Sequence, residues 1–341
     1  SLGLVGSEMC IRDRLYNETG LIKKLVSSVN SLIRSPRLVL GLLPAIIGLL
    51  PVFGGALISA PIIDEQGKQM NLRDDLKAYV NFWFRHVIFP IYPLSDSVIL
   101  IIMLTGISFF SLIYRQLPIV LIMVVMGCLL GLRKGIVRYE RKEVMEPDKD
   151  HALLSFLVPF SPIILAVFLV IATGLNIAIA VLFGIVLLLI IAKPPLSVIK
   201  KVISNKSNYL MSLAAYGAML LKNTMLSSGA SQIVSNIVSG AVAPSLTLSI
   251  LVPIFMSFIT GSCGGGIAIS VPILTSMIEM SSRTIGLLYT SAYIGYLGSP
   301  AHLCLVVTAE YFNIPLSKIY RYLAPSTVIM LIIALIVYFL F

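Results

Sequence analysis

The sequence has little charge and still less acid. Only 12% of its 341 residues are charged, Asp and Glu number 15 against 25 Lys and Arg, and 58% of residues are hydrophobic. A soluble domain of this size must cover itself with ionised side chains, so the balance excludes one. Cysteine is scarce as well. Of the 4 present, Cys128, Cys263 and Cys304 lie far apart in apolar or hairpin segments. They have neither disulfide-framework nor metal-ligand spacing and read as small buried hydrophobes. Signatures of membrane-embedded hydrolases are missing, with no His-Glu-x-x-His, no Gly-x-Ser-x-Gly and no paired intramembrane aspartates. The chain has no nucleotide-binding loop, no strand alternation of the kind a transmembrane barrel needs, and no basic stripe interleaved with aromatics. Nucleic acid is therefore not an expected partner.

What is present is apolar length. The mean hydropathy is +0.99. Runs such as Ala152–Thr173, Leu175–Ala192, Asp96–Tyr114 and Tyr322–Phe341 approach or reach the ~20 residues that span a bilayer. The expected fold is all-α, a polytopic protein crossing the cell's inner (plasma) membrane several times. The net charge of +10 collects in short loops, as the positive-inside rule requires.

The start differs in character from the rest. Ser1–Arg14 (SLGLVGSEMCIRDR) reads as translated adapter sequence, and it lacks the basic start and apolar core of a signal peptide. The expected organisation is then residues 15–132 as an N-terminal repeat truncated at its start, 133–150 as a cytoplasmic linker, and 151–341 as a C-terminal repeat.

The repeat rests on a match between Gly54-Gly55-Ala56-Leu57-Ile58-Ser59-Ala60-Pro61-Ile62 and Gly265-Gly266-Ile267-Ala268-Ile269-Ser270-Val271-Pro272-Ile273. Six of nine positions are identical at an offset of 265 − 54 = 211. Each copy follows an apolar run broken by Pro and Gly, Leu38–Pro51 and Leu246–Gly261. Each precedes a second break, Phe89-Pro90-Ile91-Tyr92-Pro93 and Gly298-Ser299-Pro300-Ala301-His302. If the loops Lys68–Lys77, Arg133–Lys149, Lys193–Lys206 and Lys318–Arg321 are cytoplasmic along with Lys23–Arg37, only Arg115, Lys222 and Arg283 fall outside. The expected crossings are a hairpin Leu38–Ile63, a broken helix Ala78–Tyr114 and a helix Leu117–Leu132. Then come helices Ala152–Thr173, Leu175–Ala192 and Asn208–Leu226, a hairpin Leu246–Met280, a broken helix Thr284–Phe312, and Tyr322–Phe341. The two hairpins then enter from opposite faces, which makes the repeat inverted. Leu21–Arg34 and Ser228–Ala243 are too polar to span and are expected to lie along the membrane surface.

A helix broken inside hydrocarbon exposes N–H and C=O groups that cost several kcal/mol each unless satisfied. Glycine permits the reversals at Gly54-Gly55 and Gly264-Gly265-Gly266. The half-helix after each reversal then aims its positive end at mid-membrane and forms an anion site. Ser59 and Ser270 lie about one turn into those half-helices. Carbonyls ending the entering half-helices suit sodium, and discontinuous helices at inverted repeats point to a secondary transporter's binding site. Close helix packing by small residues is the plainer alternative.

Several of these residues also resemble a known family. Leu49-Leu50-Pro51, Gly54-Gly55-Ala56, Ser59-Ala60-Pro61, Asn81-Phe82-Trp83-Phe84-Arg85-His86, Tyr92-Pro93 and Ser299-Pro300-Ala301-His302-Leu303-Cys304 are similar to those of the domain-of-unknown-function 401 family of membrane proteins. That family is grouped with an ion transporter superfamily containing gluconate permeases, citrate and dicarboxylate carriers, and arsenite pumps. The resemblance covers nearly everything after Arg14 and departs at Val52-Phe53, where the family has Met-Pro. It implies a transporter fold with two re-entrant hairpins and a homodimer, and it supplies no substrate.

Further polar candidates sit near the breaks. Arg85 and His86 lie in an apolar stretch, where charge is a functional hypothesis by default; Arg85 either holds a carboxylate or snorkels to the surface. Asn81, one turn earlier, either lines the same cavity or bonds another helix. His302 either carries a proton or satisfies a broken-helix carbonyl, and Glu310 either carries a proton or is solvated. Thr260, Ser262 and Ser299 supply oxygens or cap helices. The leading expectation is an ion-coupled carrier of a small anion, an organic carboxylate, with no cofactor beyond a coupling Na+ or H+. A membrane enzyme, and a channel or non-transporting subunit, are the alternatives.

Overall fold

The computed structural model describes residues 35–49, 55–132, 149–175, 177–204, 245–275 and 277–340 continuously, with scattered residues between 11 and 32 and between 213 and 228. Among the described residues every regular element is helical. The surface stretches Leu21–Arg34 and Ser228–Ala243, the crossing Asn208–Leu226 and the linker lie wholly or largely outside them.

The chain forms α1 (Pro36–Gly48), α2 (Gly55–Gln69), α3 (Asp74–His86), a 3-10 turn at Phe89–Ile91, α4 (Asp96–Thr105) and α5 (Phe109–Met126), which ends in a π turn at Gly127–Leu132. Then follow α6 (Lys149–Thr173), α7 (Ile177–Ala192), α8 (Leu196–Ile203), α9 (Ser245–Thr260), α10 (Cys263–Leu274), α11 (Ser282–Gly298), α12 (Leu303–Tyr311) and α13 (Leu316–Leu340). The order of α1 to α5 recurs in α9 to α13, with the helix interrupted between α3 and α4 and again between α11 and α12. Both interruptions fall where proline and glycine cluster and disfavour helix: Pro90 and Pro93 in the first, Gly298 and Pro300 in the second. Among the described residues, five helical segments are long and apolar enough to cross a membrane: Asp74–Thr105, Phe109–Leu132, Leu153–Thr173, Ser282–Tyr311 and Leu316–Leu340.

One expected run is corrected. Asp96–Tyr114 is two helices, because Gly106 takes a left-handed conformation (φ 76°) and its N–H caps α4 on the Ile102 carbonyl. The Ser108 hydroxyl then accepts from the Ser111 N–H and starts α5, so the helix expected from Leu117 begins at Phe109.

Residues 1–86 and 127–213 form one compact unit, and 87–126 and 214–341 form a second. In the first, α3 is buried at every residue from Asp75 to His86. Helix α1 lies against it so closely that a methyl group on Gly48 would sit 2.1 Å from the Arg85 carbonyl oxygen. Trp83 and Phe84 fill the space left at Gly127, and Val80 that at Gly131. Lys77, only 2% exposed, bonds Asp64 of α2 and Asp74 at 2.6 Å each, and Lys68 adds a second ammonium to Asp64. Burial pushes the Asp64 carboxyl upward, but the two lysines outweigh it and hold the carboxyl below its ordinary value. This depressed carboxylate contributes stability above its unfolded pKa of about 3.9 and loses it as the pH falls through the lower folded value. Lys77→Met is expected to cost about 1–2 kcal/mol at pH 7, since its partners are partly exposed. An unchanged melting temperature would show that the network contributes nothing.

In the second unit α9 packs along α11 and folds back on α10, while α11 also meets α5 and α13. The Gln116 side chain fastens α5 to α11: its Nε2 donates to the Gly286 carbonyl at 3.1 Å, and its Oε1 accepts from the Thr290 hydroxyl at 3.0 Å.

Candidate functional site

The best-defined site is the tip of the second hairpin. Helix α9 ends at Thr260, and the chain turns on Gly261, whose φ of 63° strains any residue with a Cβ. The Ser262 hydroxyl caps α10 by accepting from the Gly265 N–H at 3.1 Å. The two arms nearly touch, for a methyl on Gly266 would fall 1.8 Å from Ser257 Oγ. The tip rests on the interruption between α11 and α12. Ser299 Oγ donates to the Phe258 carbonyl at 2.5 Å and accepts from the Ala301 N–H at 3.1 Å. Beside it, His302 sets Nδ1 3.1 Å from the Tyr296 carbonyl and stacks on the Tyr296 ring at 3.9 Å between centroids. Ser262, Gly265, Gly266, Ser299 and His302 are thus gathered in one place. Ser270 is buried further along α10, and its hydroxyl donates to the Gly266 carbonyl.

A residue that sequence reasoning missed stands at this tip. Asp96, the first residue of α4, accepts the Ser97 N–H on Oδ1 at 2.8 Å. Its Oδ2 faces the start of α10, 3.3 Å from where a methyl on Gly264 would sit. Asp96 as a residue is exposed. Around it the Ser95 and Ser97 hydroxyls lie 2.8 Å apart, and Ser97 Oγ is 3.4 Å from the Tyr289 hydroxyl. The sequence signal was an acid directly after a proline break, hidden because it also opens an apolar run. A carboxylate there can hold a proton or, with the neighbouring hydroxyls, a small cation.

The first hairpin belongs to the other unit. Gly54 lies outside the described residues, as do Pro51, Val52 and Phe53; Gly55 opens α2. Ser59 is fully buried and donates to the Ala56 carbonyl at 3.3 Å. Asn81 Nδ2 donates to that same carbonyl at 3.1 Å from α3. Asn81 therefore bonds another helix, and Asn81 and Ser59 converge on the first turn of α2. Arg85 and His86 close α3, buried at 4% and 1% exposure. Arg85 is enclosed by protein rather than extended to the surface. His86 Nδ1 lies 2.7 Å from the Phe82 carbonyl, with its ring against that of Phe82.

Interrupted apolar helices, and a glycine-rich hairpin tip facing a carboxylate, define an all-α integral membrane protein with a polar site among its helices. The chain belongs to the family described as Protein of unknown function (DUF401), whose model matches residues 16–341. No curated protein matches it.

Proposed function

We propose that this protein is an ion-coupled secondary transporter of the ion transporter superfamily, a permease that carries a small anion, an organic carboxylate, across the cell's inner membrane by alternating access. The observation that carries the reading is Asp96 facing the first turn of α10. The N–H groups at a helix start attract an anion, and here a carboxylate of the protein already faces them. A substrate carboxylate arriving alongside would meet like charge. At a separation of ~4 Å and an effective dielectric constant of ~20, that repulsion is about 4 kcal/mol. Taking up a proton or Na+ at Asp96 removes it. The cation and the anion then bind best together, which is the thermodynamic requirement for coupled transport.

Other features support the same reading. Helix α1 has 13 residues, α9 has 16 and α10 has 12. At 1.5 Å per residue all fall short of the ~30 Å hydrocarbon core. Apolar helices of that length fit re-entrant hairpins, and the recurring element order fits an inverted repeat. We take the carrier to work as a homodimer, as the family's grouping implies.

The test is the melting temperature of the purified protein against a panel of small carboxylates, each with and without sodium and at two pH values. A ligand at a hundredfold its Kd adds about 2.7 kcal/mol. The expected result is a shift that needs one carboxylate together with Na+ or acid and that shrinks in Ser262→Ala. A cooperatively melting protein that no anion shifts would sink the reading.

A further inference from the structure

A second polar site lies at the opposite end of α11. Arg283 occupies its first turn, 16 residues and thus roughly 24 Å from the Ser299 interruption. Beside it stands Arg115 of α5, and the two arginines line one notch together with Gly286, Leu287, Thr290 and Tyr338. Arg115 Nη2 donates to Ser282 Oγ at 2.9 Å. Its Nε and Nη1 are buried without an acceptor among the described residues. Among those residues, too, no carboxylate lies within 4.0 Å of either arginine.

Two cations side by side, one with two buried donors unanswered, is a costly arrangement for a protein to hold on its own. The fold nevertheless makes room for it. Gly286 leaves the space through which the Arg115 stem passes, since a methyl there would sit 2.9 Å from Arg115 Cδ. Depth in the membrane narrows the missing partner. Three candidate spans have an end here: Phe109–Leu132 near Arg115, Ser282–Tyr311 at Arg283, and Leu316–Leu340 at Tyr338. Phe110, Tyr114 and Phe339 are exposed around these ends, as aromatics are at a bilayer's interface. Lys318 and Arg321 lie at the other end of α13. The arginine pair is therefore on the face where the positive-inside rule expects few cations.

We propose that Arg115 and Arg283 bind a phosphate-type oxyanion at the membrane interface, either the phosphodiester of an anionic lipid headgroup or inorganic phosphate. The notch has room for about one water-sized group, so one phosphate oxygen enters between the guanidinium groups and the rest stays outside. Arginine's planar fork suits such an anion bidentately.

The test uses the delipidated full chain in neutral detergent, with melting temperature read against dihexanoyl phosphatidylglycerol and, separately, inorganic phosphate. A stabilising shift is expected, with apparent affinity falling at least tenfold in Arg283→Gln and partly kept in Arg283→Lys. Arg283 is exposed and Arg283→Gln should fold normally; Arg115→Gln serves as the second variant. A shift from the lipid alone identifies a headgroup, and a shift from both identifies phosphate itself. No shift from either, or a shift of equal size in Arg283→Gln, overturns the proposal.

Discussion

Asp96→Asn is expected to abolish gradient-driven accumulation of substrate, by at least a hundredfold, while leaving exchange of substrate across the membrane intact. The amide keeps the size and the hydrogen bond from the Ser97 N–H, so stability should change little. What it removes is the charge facing α10. Without that charge the anion no longer needs a companion cation, and anion binding should become independent of sodium and pH. The repulsion of about 4 kcal/mol estimated for the ionised pair corresponds to roughly three orders of magnitude in affinity. Counterflow and uphill uptake in proteoliposomes separate the two effects. Equal loss of both would make Asp96 a structural cap of α4, and unchanged coupling would place the ion elsewhere.

Gly295→Leu is expected to be the most damaging single change in the second unit. A methyl at Gly295 would sit 2.2 Å from the Ile254 carbonyl oxygen and 2.8 Å from its Cα. Both neighbours are backbone, so neither can swing away as a side chain would, and α9 must separate from α11. Overpacking usually costs 1–3 kcal/mol; a clash with main chain at the centre of a helix pair should exceed about 3 kcal/mol. The melting temperature should fall by many degrees, and the hairpin tip should become protease-sensitive. Gly298→Leu is the control, because a side chain there meets open space. Similar losses in both variants would mean that helix propensity, not contact, sets the cost.

Much of the architecture was legible because proline and glycine act locally. Both helix interruptions and the second reversal fall where prolines or glycines cluster within a few residues, whereas single prolines such as Pro44, Pro118 and Pro253 stand inside helices. The split at Gly106 was not read, since one glycine in an apolar run costs a helix only about 1 kcal/mol and tertiary context decides. Ser262 and Ser299 bond backbone at the tip, the capping role that was one of their two readings, because caps and breaks belong near such glycines. Asp96 was invisible for the opposite reason. Its meaning comes from Gly264, far along the chain, and no local pattern joins them. Ser59 and Ser270 show the limit of spacing arguments. Ser59 lies about one turn into α2, but Ser270 lies about two turns into α10, and each hydroxyl donates to a carbonyl of its own helix.

The enclosure of α3 bears on how the chain is made. A helix with Lys77, Arg85 and His86 along it is a poor candidate to partition into lipid by itself, each Lys or Arg at the centre costing about 2.5–3.5 kcal/mol. Its shelter includes Gly127 and Gly131, against which Trp83, Phe84 and Val80 lie. Those glycines leave the ribosome 127 − 83 = 44 residues after Trp83. Helix α3 must therefore be held at the insertion machinery, or in contact with α1 and α2, until the end of the π turn has been synthesised. Its final seat is reached by assembly rather than by simple passage into the bilayer.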